Sequence, residues 1–377
     1  MKSLVSWVLS AVLLAWLGSA AEISYPPLKI GSPAIDFTMP GVDGRSYQLK
    51  DFAAARVLVL VFTCNHCPTA QAYEERLKQL AKDYDGRGVT LVAISPNSPK
   101  GVRLDELGYT DVGDTLEDMK VRAAQKGFNF PYLYDGDSEL ASKQYGPSAT
   151  PHVFIFDAQR RLRYQGRIDD SEREDLVKVQ DARNAIEALL KDQEPPVTVT
   201  KVFGCSTKWS DKADDVTRWM EKVRKEPVKL EAADAAALKA LRANQGTGKV
   251  RLINVWATWC GPCVSEFGEL LETNLRFRHR DFELVTVAAQ FPDERGQVLK
   301  FLEKQGASTR NLLFGETDKY RLLEALDPDW NGALPHTLLV APDGKILFRQ
   351  TGALDFLELR RQIVPALNAL APWPGMK

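Results

Sequence analysis

The sequence predicts an α/β protein of two tandem domains, each a central mixed β-sheet flanked by helices. Three observations predict it. Apolar runs of strand length alternate with stretches of helical spacing along the chain. A Cys-x-x-Cys pair follows an apolar run in each half, in "FTCNHC" (62–67) and in "WATWCGPC" (256–263). A Pro-His dipeptide then opens a further apolar run, at Pro151-His152 and at Pro335-His336. With 377 residues, the chain is long enough for two such cores.

Taken in order, residues 1–21 read as an export signal: Lys2, an apolar core, then Gly18, Ser19, Ala20 and Ala21 as an A-x-A-like cleavage site. The alternative is an uncleaved anchor, although Leu4 to Leu17 falls short of the ~20 residues that a span needs. The first domain is expected over 26–191. "ARVLVLVFT" (55–63) is an unbroken apolar run, as in a strand buried on both faces. "PTAQAYEERLKQLAKDYDG" (68–86) has helical spacing and a glycine stop. "GVTLVAIS" is a second buried strand, followed by a helix around 114–127 and a short helix in "SELASKQYG". Two strands with a turn between them fill 149–169.

A linker is expected over 192–227, where two prolines in "DQEPPVTVTKVFG" stop the preceding helix. It carries Cys205 and a helix in "SDKADDVTRWMEKVRKE". The second domain, 228–372, repeats the first: a helix in "EAADAAALKALRANQG", the strand "VRLINVWAT", Cys260 and a helix, the strand "FELVTVAAQ", a helix near 294–305, and two strands over 333–352. Each Pro-His proline sits at the start of a strand, where it removes no ladder bond.

Composition excludes several classes. The 49 basic and 50 acidic residues give a formal net charge of −1, so no global field draws nucleic acid or an anionic membrane surface. No G-x-S-x-G elbow supports serine-type hydrolysis, and a pure scaffold has no use for two dithiols at helix starts. Five cysteines are too few to staple a chain whose hydrophobic content, 44%, already supports a core. Four of them lie in pairs and read as working thiols in an oxidising compartment.

A cysteine where a strand gives way to a helix has a direct chemical use. Unpaired backbone N–H groups and the positive end of the helix dipole stabilise its thiolate. The second cysteine, one turn further in, attacks the mixed disulfide and releases the product. This assigns Cys64 and Cys260 as attacking thiols, and Cys67 and Cys263 as resolving ones.

"NVWATWCGPC" (254–263) resembles the active site of the thioredoxin superfamily, in particular its exported TlpA/ResA-like branch. Trp259 and Pro262 match that site. Glu266 falls where the branch has an acidic active-site residue, and Asn254 stands where cytoplasmic thioredoxins have a buried aspartate. The resemblance implies that Pro335 is a cis-proline facing the disulfide and seating substrate. Gly268 departs from the proline usual there. Glu266 reads either as a proton carrier or as a first-turn acid complementing the helix dipole.

The first half resembles the redoxin group, the AhpC/TSA-like relatives of peroxiredoxins. "GSPAIDFTMPGVDGRSYQLKDF" (31–52) matches its leading hairpin, while "FTCNHCP" and "ATPHVFIFD", with Pro151, match its active site. The peroxidatic pattern P-x-x-x-T-x-x-C is missing: Val61 stands three before Cys64, which speaks against peroxidase activity.

Gly261-Pro262 is the reducing choice of dipeptide. Asn65-His66 places a histidine before the second cysteine, as in oxidising members, and a His66 proton would favour the Cys64 thiolate. His66 as a solvated surface residue is the alternative. The superfamily's potentials span about 150 mV, or about 7 kcal/mol, so two such centres can drive electrons from the second domain to the first. The resemblance implies thiol–disulfide exchange with exported cysteine-containing proteins, no cofactor beyond the dithiols, a membrane thiol–disulfide carrier as partner, and a periplasmic or otherwise exported location.

A metal reading competes. Cys64, Cys67 and His152 resemble the ligands of copper chaperones of this fold, which space their cysteines four apart rather than three; thiolate plus imidazole suits Cu(I) or zinc. Cys205 lies outside both pairs. A disulfide shuttle, a link to another molecule and a plain unpaired thiol all remain open for it.

Overall fold

The computed structural model describes residues 24–373. The expected export signal lies outside them. None of the described helices is long and apolar enough to cross a membrane.

A hairpin of β1 (Thr38–Pro40) and β2 (Ser46–Gln48) comes first. The remaining strands of the first half are β3 (Val57–Phe62), β4 (Val89–Ser95), β5 (Tyr132–Tyr134), β6 (Ala149–Thr150), β7 (His152–Phe156), β8 (Leu162–Gly166) and β9 (Cys205–Ser206). Its helices are α1 (Pro68–Asp83), α2 (Leu116–Lys126), α3 (Leu140–Tyr145) and α4 (Asp181–Leu190), with α5 (Ala213–Arg224) beyond them. The sheet runs β5-β4-β3-β7-β8, with β3 parallel to β4 and antiparallel to β7. β3 explains the apolar run: Val57, Val59 and Val61 join the core on one face, and Leu58, Leu60 and Phe62 the core on the other. Each such side chain contributes about 1.5–3 kcal/mol on burial.

The second half opens with β10 (Glu231–Ala233) and α6 (Ala235–Ala243). It continues with β11 (Val250–Trp256), α7 (Gly261–Phe277), β12 (Phe282–Ala288), α8 (Arg295–Gln305), β13 (Arg310–Phe314), α9 (Lys319–Leu326), β14 (His336–Val340), β15 (Ile346–Thr351) and α10 (Phe356–Leu370). Six strands pair in the order β10-β13-β12-β11-β14-β15. The helix expected over "EAADAAALKALRANQG" is shorter than its pattern. Asp234 accepts the Ala237 N–H and so starts α6 late, freeing Glu231–Ala233 to extend the sheet edge on β13.

The halves dock through the stretch before α2. Arg276, near the end of α7, donates to the Val112 carbonyl at 2.9 Å, and Arg280 to that of Gly108 at 2.9 Å. From α10, Arg360 donates to the Asp111 carbonyl at 2.8 Å. A Cβ on Gly108 would lie 2.9 Å from the Arg276 carbonyl oxygen, so glycine is what lets the backbones approach.

Val112 is buried, so Arg276→Met is expected to orphan its carbonyl at a loss of about 1–3 kcal/mol. Denaturant titration checks the loss, and limited proteolysis checks that cleavage within 103–113 rises.

Candidate functional sites at two strand–helix junctions

In the second half, β11 ends one turn before α7, and Cys260 is that helix's N-cap. Its Sγ accepts the Cys263 N–H at 3.3 Å, and the two cysteines form a disulfide with Cα atoms 5.3 Å apart. Pro262 lies in the first turn, where a missing N–H is harmless. Gly261 and Pro262 are exposed, and Trp259 beside them is 62% exposed, a large apolar ring in water next to a disulfide. The Leu334–Pro335 bond is cis, and Leu334 packs against the cluster holding Cys260 and Cys263. Glu266 lies inside α7, where burial raises its carboxyl against the Leu354 N–H that it accepts at 3.0 Å. Of its two readings, the buried titratable one fits this placement better than the surface-dipole one. Asn254 donates to Thr337 Oγ1 at 3.0 Å. A Cβ on Gly268 would meet nothing within 4 Å, so that departure removes no packing.

The first half differs, and the reading of its cysteines needs correction. α1 starts at Pro68, so the helix cap is Cys67 and not Cys64. Proline is the reason. A helix beginning at Asn65 would put Pro68 in its fourth position, where the N–H is needed and the ring clashes. Cys67 Sγ accepts the Ala70 N–H at 3.4 Å, and its thiol donates to the Thr150 carbonyl at 3.3 Å. Cys64 Sγ lies 3.2 Å from Thr150 Oγ1. Burial pushes the Cys64 thiol well up. Burial also opposes the Cys67 anion, but hydrogen bonds from Cys205, Cys64 and the Ala70 N–H, with the His66 charge, bring that thiol well down. The sulfur at the helix terminus in this half is therefore that of Cys67.

His66 is not a solvated residue. It is buried, and its Nδ1 lies 2.5 Å from Asp114 Oδ2. Asp114 also accepts the Asn65 N–H at 2.9 Å, the His66 N–H at 3.1 Å and the Asn97 amide at 2.8 Å. Burial opposes the charge on both groups, yet the pairing raises His66 and lowers Asp114. Beyond them, Lys208 pairs with Glu106. The His66 proton serves Cys67 rather than Cys64, whose anion Asp114 opposes. Sequence reading missed Asp114 because nothing near it in the chain marks it; only the fold carries it to the Asn65-His66 turn.

The copper set is also corrected. Among the described residues, the group that could hold a metal is Cys64, His66 and Asp114, without His152. His152 faces the core: its Nδ1 accepts the Ser148 N–H, its ring packs on Phe154 at 4.4 Å, and burial takes it down to about 4. Two ligands on one zinc stand about 3.3 Å apart, given Zn–N and Zn–O near 2.0 Å. The 2.5 Å between His66 and Asp114 is instead a hydrogen bond. His336 is likewise occupied, with Asp327 at 3.1 Å and Thr351 at 2.8 Å. Pro151, after a cis Thr150–Pro151 bond, places Thr150 over both cysteines of the first pair. Cys205 also comes to this site, its N–H donating to Cys67 Sγ at 3.4 Å.

These arrangements define a protein of two tandem thioredoxin-like domains, each with a cysteine pair at a strand–helix junction and a cis-proline whose preceding residue packs near that pair. More particularly, the AhpC/TSA family matches residues 30–165 and again 223–349, and the chain belongs to that family. It is 31% identical over 138 residues to the thiol:disulfide interchange protein CycY of Rhizobium leguminosarum bv. viciae, covering 36% of this chain and 68% of that one. It is 29% identical over 116 residues to the thiol-disulfide oxidoreductase ResA of Bacillus subtilis (strain 168), covering 31% of this chain and 60% of that protein. A solved structure of a hypothetical protein from Sinorhizobium meliloti 1021 is 33% identical, with a TM-score of 0.43, over 49% of this chain and 96% of that one.

The His66–Asp114 pair makes a signed prediction. His66 sits above its unfolded value, so its contribution is complete below about pH 6.5 and fades as pH rises through the folded value. Asp114 sits below its unfolded value, so its contribution is present above about pH 4 and fades on acidification. Asp114→Asn is therefore expected to destabilise by about 3–5 kcal/mol, most strongly between about pH 4 and 6.5. It should also raise the pH at which Cys67 becomes reactive. Denaturation across pH and a Cys67 alkylation profile measure the two effects.

Proposed function

We propose that the chain is an exported thiol–disulfide oxidoreductase that exchanges disulfides with protein cysteines through two centres, Cys260/Cys263 and Cys64/Cys67. The observation that carries this reading is Cys260 capping α7 in a disulfide with Cys263, beside the exposed Trp259. A client thiolate attacks the Cys260–Cys263 disulfide, or reduced Cys260 attacks a client disulfide. In the first direction Cys263 leaves as the thiolate; in the second, the helix terminus holds Cys260 as the attacking thiolate, and the client's other sulfur leaves with the electron pair. Trp259 offers apolar area to a client chain, and Glu266, a buried carboxyl one turn beyond Cys263, is the group this reading assigns to take or give its proton. CycY is named as a thiol:disulfide interchange protein and ResA as a thiol-disulfide oxidoreductase, and that is the chemistry this junction suits.

In the first centre, Cys67 is the attacking thiol and Cys64 its partner, with His66 and Asp114 setting the charge. The dithiols are the only redox groups the reading requires. Clients are exported cysteine-containing proteins, and a membrane thiol carrier recharges one centre. The leader over 1–21 and the exported-type Asn254 support location outside the cytoplasm, in a periplasm. Electron relay from the second centre to the first is part of the proposal. The interface lies at the end of α7 opposite Cys260, about 24 Å along a helix rising 1.5 Å per residue. Relay therefore needs the halves to swing apart, or a second molecule.

With insulin as substrate and dithiothreitol as reductant, Cys260→Ser is expected to bring turnover by the second centre to background. Full turnover in that variant together with Cys67→Ser overturns the reading. The two centres' potentials, each measured in full-length protein with the other pair changed to serine, should differ by more than about 30 mV, a tenfold equilibrium ratio.

A further inference from the structure

The fold brings Cys205 to the first centre through a segment built to hold it. Strand β9 pairs antiparallel with β6, setting Cys205 opposite Thr150 and Ser206 opposite Ala149. Gly204 lies so close that a Cβ there would fall 2.1 Å from the Thr150 carbonyl oxygen, and only glycine admits that approach. Beyond Cys205, Thr207 Oγ1 donates to the Pro147 carbonyl at 2.6 Å. Lys208 N–H donates to Asn97 Oδ1 at 2.9 Å, and Ser98 N–H returns a bond to the Lys208 carbonyl at 2.8 Å. The segment is thus fastened on both sides of its cysteine.

At the sulfur atoms the consequence is specific. Cys67 Sγ accepts the Cys205 N–H at 3.4 Å, and Cys64, Cys67 and Cys205 pack in one cluster, so Cys67 has two thiol neighbours. The second half supplies the comparison. There, Ala333 is exposed and Leu334 half-buried before Pro335, β14 begins only at His336, and no strand pairs with residues 333–334 among the described residues. In the first half the same edge is filled by the chain itself, with a cysteine opposite the residue before the proline.

We propose that Cys205 is a third redox thiol of the first centre, replacing Cys64 as the disulfide partner of Cys67 and occupying in cis the edge that a client cysteine takes in the second half. This rests on the thiol–disulfide exchange reading. In the step, the Cys205 thiolate attacks the Cys67 sulfur of the Cys64–Cys67 disulfide. The Cys67–Cys205 bond forms as the Cys64–Cys67 bond breaks, the electron pair leaves on the Cys64 sulfur, and the proton lost by Cys205 ends there. One disulfide is exchanged for another, so no outside oxidant is required. A mixed disulfide between Cys67 and a client is resolved by Cys205 in the same way, releasing the client thiol.

The test uses full-length Cys64→Ser protein, reduced, exposed to oxidised glutathione, alkylated, digested and mapped by mass spectrometry. The expected product is the Cys67–Cys205 linked peptide, about tenfold or more over a glutathione adduct on Cys67. With Cys205→Ser added, the adduct on Cys67 should persist. An adduct that accumulates in the single variant while Cys205 alkylates freely overturns the proposal and leaves the exchange reading standing. No reaction at Cys67 in either variant overturns the proposal together with the first centre's part in the exchange reading. The unmodified chain in glutathione buffers gives a check free of any variant's folding: the Cys67–Cys205 peptide should appear beside the Cys64–Cys67 one, and its absence at every ratio overturns the proposal.

Discussion

A helix that begins where a buried strand ends leaves backbone N–H groups aimed at whatever sits there, and this protein answers them with sulfur in both halves. Cys260 takes the Cys263 N–H, and Cys67 takes that of Ala70. A serine could make the same contact, worth about 1 kcal/mol as a cap. A thiolate does more, because it also places negative charge on the positive end of the helix dipole. The contact that starts the helix is therefore the contact that tunes the thiol. The sheets supply the rigidity: β3 and β11, buried along their whole lengths, fix where each junction stands.

The first junction has a further dependence. Residues 64–66 lie outside the helix, and their N–H groups are satisfied largely by Asp114. Asp114 closes the same stretch that α7 and α10 grip through Val112, Gly108 and Asp111. The second half thus helps to hold the carboxylate that sets the His66 charge. Linkage makes this reciprocal in free energy: whatever docking contributes to the His66–Asp114 pairing, that pairing contributes to docking in equal measure.

Much of this was legible in the sequence. The apolar runs placed the central strands, and the repeated Cys-x-x-Cys and Pro-His signals placed two like folds in one chain. The Trp-Cys-Gly-Pro-Cys context marked the second junction, where local sequence and fold agree. Other features were hidden for physical reasons. β10 is three residues long and pairs with a strand about eighty residues later, so no local period reveals it. Asp114 and Cys205 reach the first centre only through tertiary packing. The helix from Pro68 was readable, but one template applied to both pairs put the first cysteine at the helix start, where the structure has the second.

That proline also explains why the two pairs enclose different residues. In the second half Pro262 lies between the cysteines, the helix begins inside the motif, and the dipeptide needs no support from elsewhere, so it stays exposed. In the first half Pro68 follows the motif and expels it from the helix. Three residues of loop then carry polar groups that must find partners if they are to be buried. Asn65 supplies a side chain that donates to the Gly113 carbonyl and accepts from Tyr132, and His66 supplies a ring for Asp114. A Gly-Pro pair could make neither contact. Asn-His is thus demanded by where the helix starts, and the altered charge at Cys67 follows from meeting that demand.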